Sequence, residues 1–65
     1  MTNLMTALLD ELERNIDLRR DYKEIPEGIL GGTLINADIQ EAKRAISESD
    51  TVGMMKVYNA LKNNQ

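Results

Sequence analysis

Apolar side chains in this chain recur at steps of three and four and nowhere sustain the alternation of two that a strand requires, so the regular structure it predicts is α-helix. Met5, Leu8, Leu9, Leu12 and Ile16 set the first stripe. They predict a helix from about residue 3 to residue 23, with Leu18 falling off the stripe and widening the buried face. Asp10, Glu11 and Glu13 fall in its first half and Arg19, Arg20 and Lys23 in its last turns, the order that the helix dipole favours. Asp10 and Arg14 stand four apart with the acid first, a spacing that predicts an ion pair of roughly 0.2–0.5 kcal/mol.

Pro26 closes this segment, because it lacks an amide proton and biases Ile25 away from the helical region. The stretch that follows, Pro26 to Gly32, holds Gly28, Gly31 and Gly32 and admits two readings. In one it is a loop, and a second helix starts near Thr33, whose hydroxyl caps it. In the other, Pro26 occupies the first helical position and the helix runs on through the glycines. Gly28, Gly31 and Gly32 then lie at i, i+3 and i+4, a face bare of side chains where another helix can approach closely. The second reading is preferred.

Ile35, Ile39, Ala42 and Ile46 form the next stripe, with Asp38, Glu41, Lys43 and Arg44 mostly outside it, and the helix is expected to end near Glu48. The polar run Ser47 to Asp50 interrupts the pattern, and Ser49 or Asp50 is a good N-cap for a third helix over about residues 51–62. Val52, Met55, Tyr58 and Leu61 are its expected stripe, with Met54 and Val57 beside it and Asn63, Asn64 and Gln65 as a fraying polar tail. The fold class is therefore all-α, one domain over 1–65: a long first helix, an antiparallel second and a short third.

A chain of 65 residues makes such a core small, supplying roughly 3–5 kcal/mol at most unless something else fastens it. Without cysteine or histidine there is neither a disulfide nor a Cys/His zinc site, so self-association into a homodimer or higher oligomer is the expected substitute. The same two absences remove the most nucleophilic side chain and the commonest general base, and the sequence carries no phosphate-binding loop, dinucleotide fingerprint or calcium loop. No enzymatic activity and no cofactor are expected. A net charge of −3 argues against non-specific nucleic-acid binding. The first residues lack the basic and apolar regions of a signal peptide, and no window approaches the ~18 apolar residues of a membrane span, so the expected location is the cytoplasm.

Two groups of residues remain as candidate sites. Arg19, Arg20 and Lys23, followed by Gly28, Gly31 and Gly32, join cationic side chains to backbone amides that suit a phosphate-bearing ligand such as a nucleotide. Met54, Met55 and Tyr58 form a candidate partner surface, since methionine adapts to irregular interfaces. Both tyrosines, Tyr22 and Tyr58, are expected at the core margin with their hydroxyls in water.

From Tyr22 to Lys62 the chain resembles small helical proteins carried by bacteriophages and prophages, through Tyr22, the Pro26-Glu27-Gly28 segment, Ala37-Asp38-Ile39, Ala45-Ile46, Asp50, Met54 and Tyr58 to Leu61. The resemblance implies an accessory protein that binds and modulates a host protein in the host cytoplasm. An oligomeric sponge that sequesters a nucleotide signal in counter-defence is the alternative it implies, and a structural or assembly protein is a third.

Overall fold

The computed structural model describes residues 3–25 and 29–65. Three helices account for nearly all of them: α1 (Leu4–Lys23), α2 (Ile29–Ser47) and α3 (Thr51–Asn63), and there is no strand among the described residues. Each helix touches the other two. The end of α1 meets the start of α2, where Tyr22 lies against Gly31 and Arg19 bonds Asn36, so these two run antiparallel. Arg14 and Asn15 reach Leu61, and further along Tyr22 reaches Gln65, which places α3 parallel to α1.

Local chemistry sets the boundaries. The Asn3 side chain accepts from the Thr6 amide at 2.8 Å and caps α1, and Asp50 does the same for α3 through the Gly53 amide at 2.9 Å. Between α2 and α3, Asp50 N–H donates to Ala45 and Ser49 N–H to Ile46, a Schellman turn in which Ser49 takes the left-handed position at φ 52°. Gly31 and Gly32 are helical, in agreement with the preferred reading, whereas Pro26 and Gly28 lie outside the described residues.

The core consists of Leu8 of α1, Ile35, Ile39, Ala42 and Ala45 of α2, and Met54, Val57 and Leu61 of α3, with Leu4, Leu12, Ile16, Leu18, Tyr22, Ile46 and Tyr58 packed around it. The third helix is rotated from its expected register. Val52 and Met55 are exposed, while Met54 and Val57, expected beside the stripe, are buried. Steps of three alone turn each successive side chain about 60° backwards around an α-helix, so 52, 55, 58 and 61 wind across half the cylinder, whereas 54, 57 and 61 alternate three and four and stay on one side. In α1, likewise, Met5 and Leu9 are at the exposed edge, and Asn15, seven residues after Leu8, is wholly buried.

Among the described residues Asn15 is the one buried polar side chain, and it is fully used. Its Nδ2 donates to the carbonyls of Glu11 at 2.7 Å and Leu61 at 3.1 Å, and its Oδ1 accepts from Asn64 Nδ2, which also donates to Asp38 Oδ2. Arg14 Nη2 donates to the same Leu61 carbonyl at 2.7 Å, while its Nε pairs with Glu11 and not with Asp10 as the spacing suggested. These side chains satisfy acceptors that the end of α3 leaves without helical partners. Asn64 and Gln65 are therefore tied down where a frayed tail was expected, and the Tyr22 hydroxyl donates to the Gln65 backbone oxygen instead of to water.

The two described glycines of α2 have opposite expected responses to substitution. A Cβ on Gly31 would sit 3.1 and 3.2 Å from Tyr22 ring carbons, so Gly31→Leu forces the ring off its seat and should destabilise the protein by about 1–3 kcal/mol. At Gly32 the nearest atom would be an ordinary 3.6 Å away, so Gly32→Ala should stabilise by ~0.5–1 kcal/mol through helix propensity alone. Urea unfolding followed by circular dichroism checks both signs.

Candidate functional site

Among the described residues, three of the surface concavities have linings that differ in chemistry. The first, about 270 Å³, lies between the end of α1 and the start of α2 and is lined by Lys23, Gly32, Thr33 and Asn36. Arg19 stands behind it, with Nη1 donating to Asn36 Oδ1 at 2.6 Å. The cationic end of α1 expected from the sequence is thus divided. Lys23 lines the cleft, Arg19 braces one of its walls, and Arg20 points away, 3.7 Å from Asp17. At Gly31 the Tyr22 ring packs on the side where a Cβ would be, so that side is taken up by contact with α1, and Gly28 lies outside the described residues. Asn36 was absent from the sequence-level candidates; a helical step of four from Gly32 was the available signal.

The second, about 410 Å³, is a groove between α2 and α3 with a floor of Val52, Val57 and Ala60 and a charged wall of Asp38, Glu41, Arg44, Asp50 and Lys56. Arg44 dominates it. Its guanidinium pairs with Glu41, with Glu48 at 2.8 Å and with Asp50 at 3.1 Å, joining the last turns of α2 to the cap of α3. The hydrogen bond from Arg44 holds the Glu41 carboxyl below its ordinary range. Asp50 is lowered first by the Gly53 amide and then by Arg44, and the three carboxylates together raise Arg44. No cluster of three or more acids among the described residues is arranged to hold a metal ion. With Glu41 and Asp50 committed to Arg44 and Asp38 to Asn64, the groove presents a structural clasp, and Gly53 leaves the space that the Asp50 carboxylate fills.

The clasp has a pH signature. Glu41 and Asp50 have folded pKa values below their unfolded ones, so their contribution is present above the ordinary carboxylate values near ~4 and is lost as pH falls through the depressed folded values. Stability should therefore drop on acidification below about pH 4, and Asp50→Ala should lower the melting temperature at neutral pH while flattening that acid limb. Thermal melts from pH 7 to pH 2 read both effects.

The third concavity, about 280 Å³, is lined by Leu18, Asp21, Tyr22, Ile25 and Gln65. It exists because α3, with 13 residues, is shorter than α1 with 20 and α2 with 19. Past Leu61 the hairpin of α1 and α2 loses its helical cover. Ile25 is 50% exposed and Leu34, one helical turn before Asp38, is 61% exposed.

The expected partner surface on α3 is partly overturned. Met54 is in the core at 7% exposure and cannot reach a partner, Tyr58 is half-buried against the core, and only Met55 faces outward. Ile25 and Leu34 were not singled out as surface residues; the signal was the difference in helix length. No protein-family model matches the chain, and no curated protein or solved structure does either.

Proposed function

We propose that the chain is a non-enzymatic binding protein that engages another protein through the uncovered end of the α1–α2 hairpin. One observation carries this reading: Ile25 stands half exposed on the lining of the groove it shares with Leu18 and Tyr22, at the end that α3 leaves open, and Leu34 of α2 is 61% exposed. Isolated exposed apolar residues are ordinary, but Leu18, Tyr22 and Ile25 lining one concavity are the kind of apolar group that an anchoring surface requires. The resemblance to phage accessory proteins makes a host protein the class of partner, acting where the host cytoplasm is the site of encounter. No helix among the described residues is long and apolar enough to cross a membrane.

The test uses Ile25→Ser with Leu34→Ser, a double change at side chains already in water. It should leave the melting temperature within a degree or two of the parent and abolish capture of a specific protein from bacterial lysate. Met55→Ser, on another helix, should not. Light scattering across a dilution series establishes at the same time whether copies of the chain associate. Identical captures by parent and double variant, or recovery of bait alone, would sink the reading.

A further inference from the structure

We propose that the cleft lined by Lys23, Gly32, Thr33 and Asn36 binds a phosphate monoester group. The argument begins with charge pairing. Among the described residues, Arg14, Arg20 and Arg44 each have a carboxylate within 4 Å, whereas no carboxylate pairs with Arg19 or Lys23, which lie one turn apart on the same side of α1. In a chain of net charge −3, two neighbouring cations with no carboxylate partner among the described residues, beside a concavity, form a local positive field against the global sign.

The surrounding atoms are suited to an anion. Asn36 commits its Oδ1 to Arg19 at 2.6 Å, and because the amide is planar this fixes Nδ2, its donor, at the other end. Gly32 contributes a stretch of wall without a side chain, buried against Tyr22 and Lys23 of α1, which leaves Lys23 and Asn36 as the groups that reach into the cleft. Among the described residues the lining contains no carboxylate. Lys23 offers a mobile ammonium that suits a phosphate as a point charge, with Arg19 adding field from behind.

Size narrows the ligand. At about 270 Å³ the cleft falls just under the ~300–1,000 Å³ typical of small-molecule sites, which admits a phosphate with part of the group that carries it and excludes a dinucleotide held by one copy of the cleft. This site is separate from the hairpin-end surface, and neither proposal depends on the other.

The test is a titration of isotopically labelled protein at constant ionic strength, followed by backbone amide shifts, with inorganic phosphate in one arm and adenosine monophosphate in the other. Shifts should concentrate at Gly32, Thr33 and Asn36. Tighter binding of the ester identifies a phosphorylated small molecule as the ligand, and equal binding identifies free phosphate. Lys23→Ala should weaken binding at least tenfold, whereas Arg20→Ala, which removes the same charge three residues away, should change it less than twofold. Asn36→Asp should abolish binding without lowering the melting temperature, because the new carboxylate pairs with Arg19. Equal loss in the Lys23 and Arg20 variants, or no shift in either arm by about 10 mM ligand, overturns the proposal.

Discussion

Asn15→Asp unfolds the protein at neutral pH and returns it toward the folded state on acidification. Asn15 has no accessible surface, and its Nδ2 points at two carbonyl oxygens, those of Glu11 and Leu61. An aspartate places an acceptor and a negative charge where a donor is required, and an uncompensated buried charge costs about 3–5 kcal/mol. That is comparable with the whole stability of roughly 3–5 kcal/mol expected for a core of this size. Burial raises the folded pKa of the new carboxyl above its unfolded value near ~3.9, so the loss is absent below that value and grows as pH rises through the folded pKa. The parent protein has the opposite trend, because Glu41 and Asp50 are depressed. Circular dichroism at pH 7 and pH 4 separates the two cases, and an aspartate variant as stable as its parent at pH 7 would refute the account. Asn15→Leu is the milder comparison, since Arg14 still serves the Leu61 carbonyl and Asp38 still receives Asn64.

Ile39→Ala is the second large effect. Ile39 is wholly buried at the centre of α2, in a core whose eight described residues include two alanines. Truncation leaves a cavity that the surrounding side chains fill only in part, at a cost of about 2–5 kcal/mol. A substantial unfolded population at 25 °C follows, visible as a lost or broadened urea transition. Leu34→Ala, on the same helix but 61% exposed, should shift the midpoint little, by ~0.5 kcal/mol or less. Repeating the parent's unfolding at two protein concentrations adds a separate reading. A midpoint that rises with concentration shows that neighbouring copies contribute to stability, and one that does not shows that the three helices suffice.

Much of this architecture could be read from spacing. The caps at Asn3 and Asp50 and the end of α1 at Lys23 follow from side-chain chemistry acting within four residues, which a sequence displays directly. The packing of Gly31 on Tyr22 follows from bare backbone at helical spacing. What spacing hid was rotation. Val52, Met55, Tyr58 and Leu61 have the right chemistry at a period of three, and only a partner helix decides that Met54 and Val57 turn inward instead. Asn15 was missed for the converse reason: its side chain is polar, and its burial depends on carbonyls brought from 46 positions away. The candidate cleft was half visible. Lys23, Arg19 and Gly32 could be nominated from type and order, but Asn36 acquires its role only when α2 folds back beside Arg19.

The third helix is held at its two ends by interactions that respond differently to solvent. At its start, the ion pairs of Arg44 with Glu41, Glu48 and Asp50 are partly exposed and weaken as dissolved salt screens them. At its finish, Asn15, Asn64 and Tyr22 form amide and phenol bonds, and the charged Arg14 and Asp38 act there only on neutral partners, so screening has less purchase than on the ion pairs. Salt therefore loosens the helix from the Arg44 end first, whereas a denaturant that competes for amides attacks the opposite end. Amide exchange along α3 should reverse its gradient between brine and dilute urea, making this short segment a reporter of which solvent force is at work.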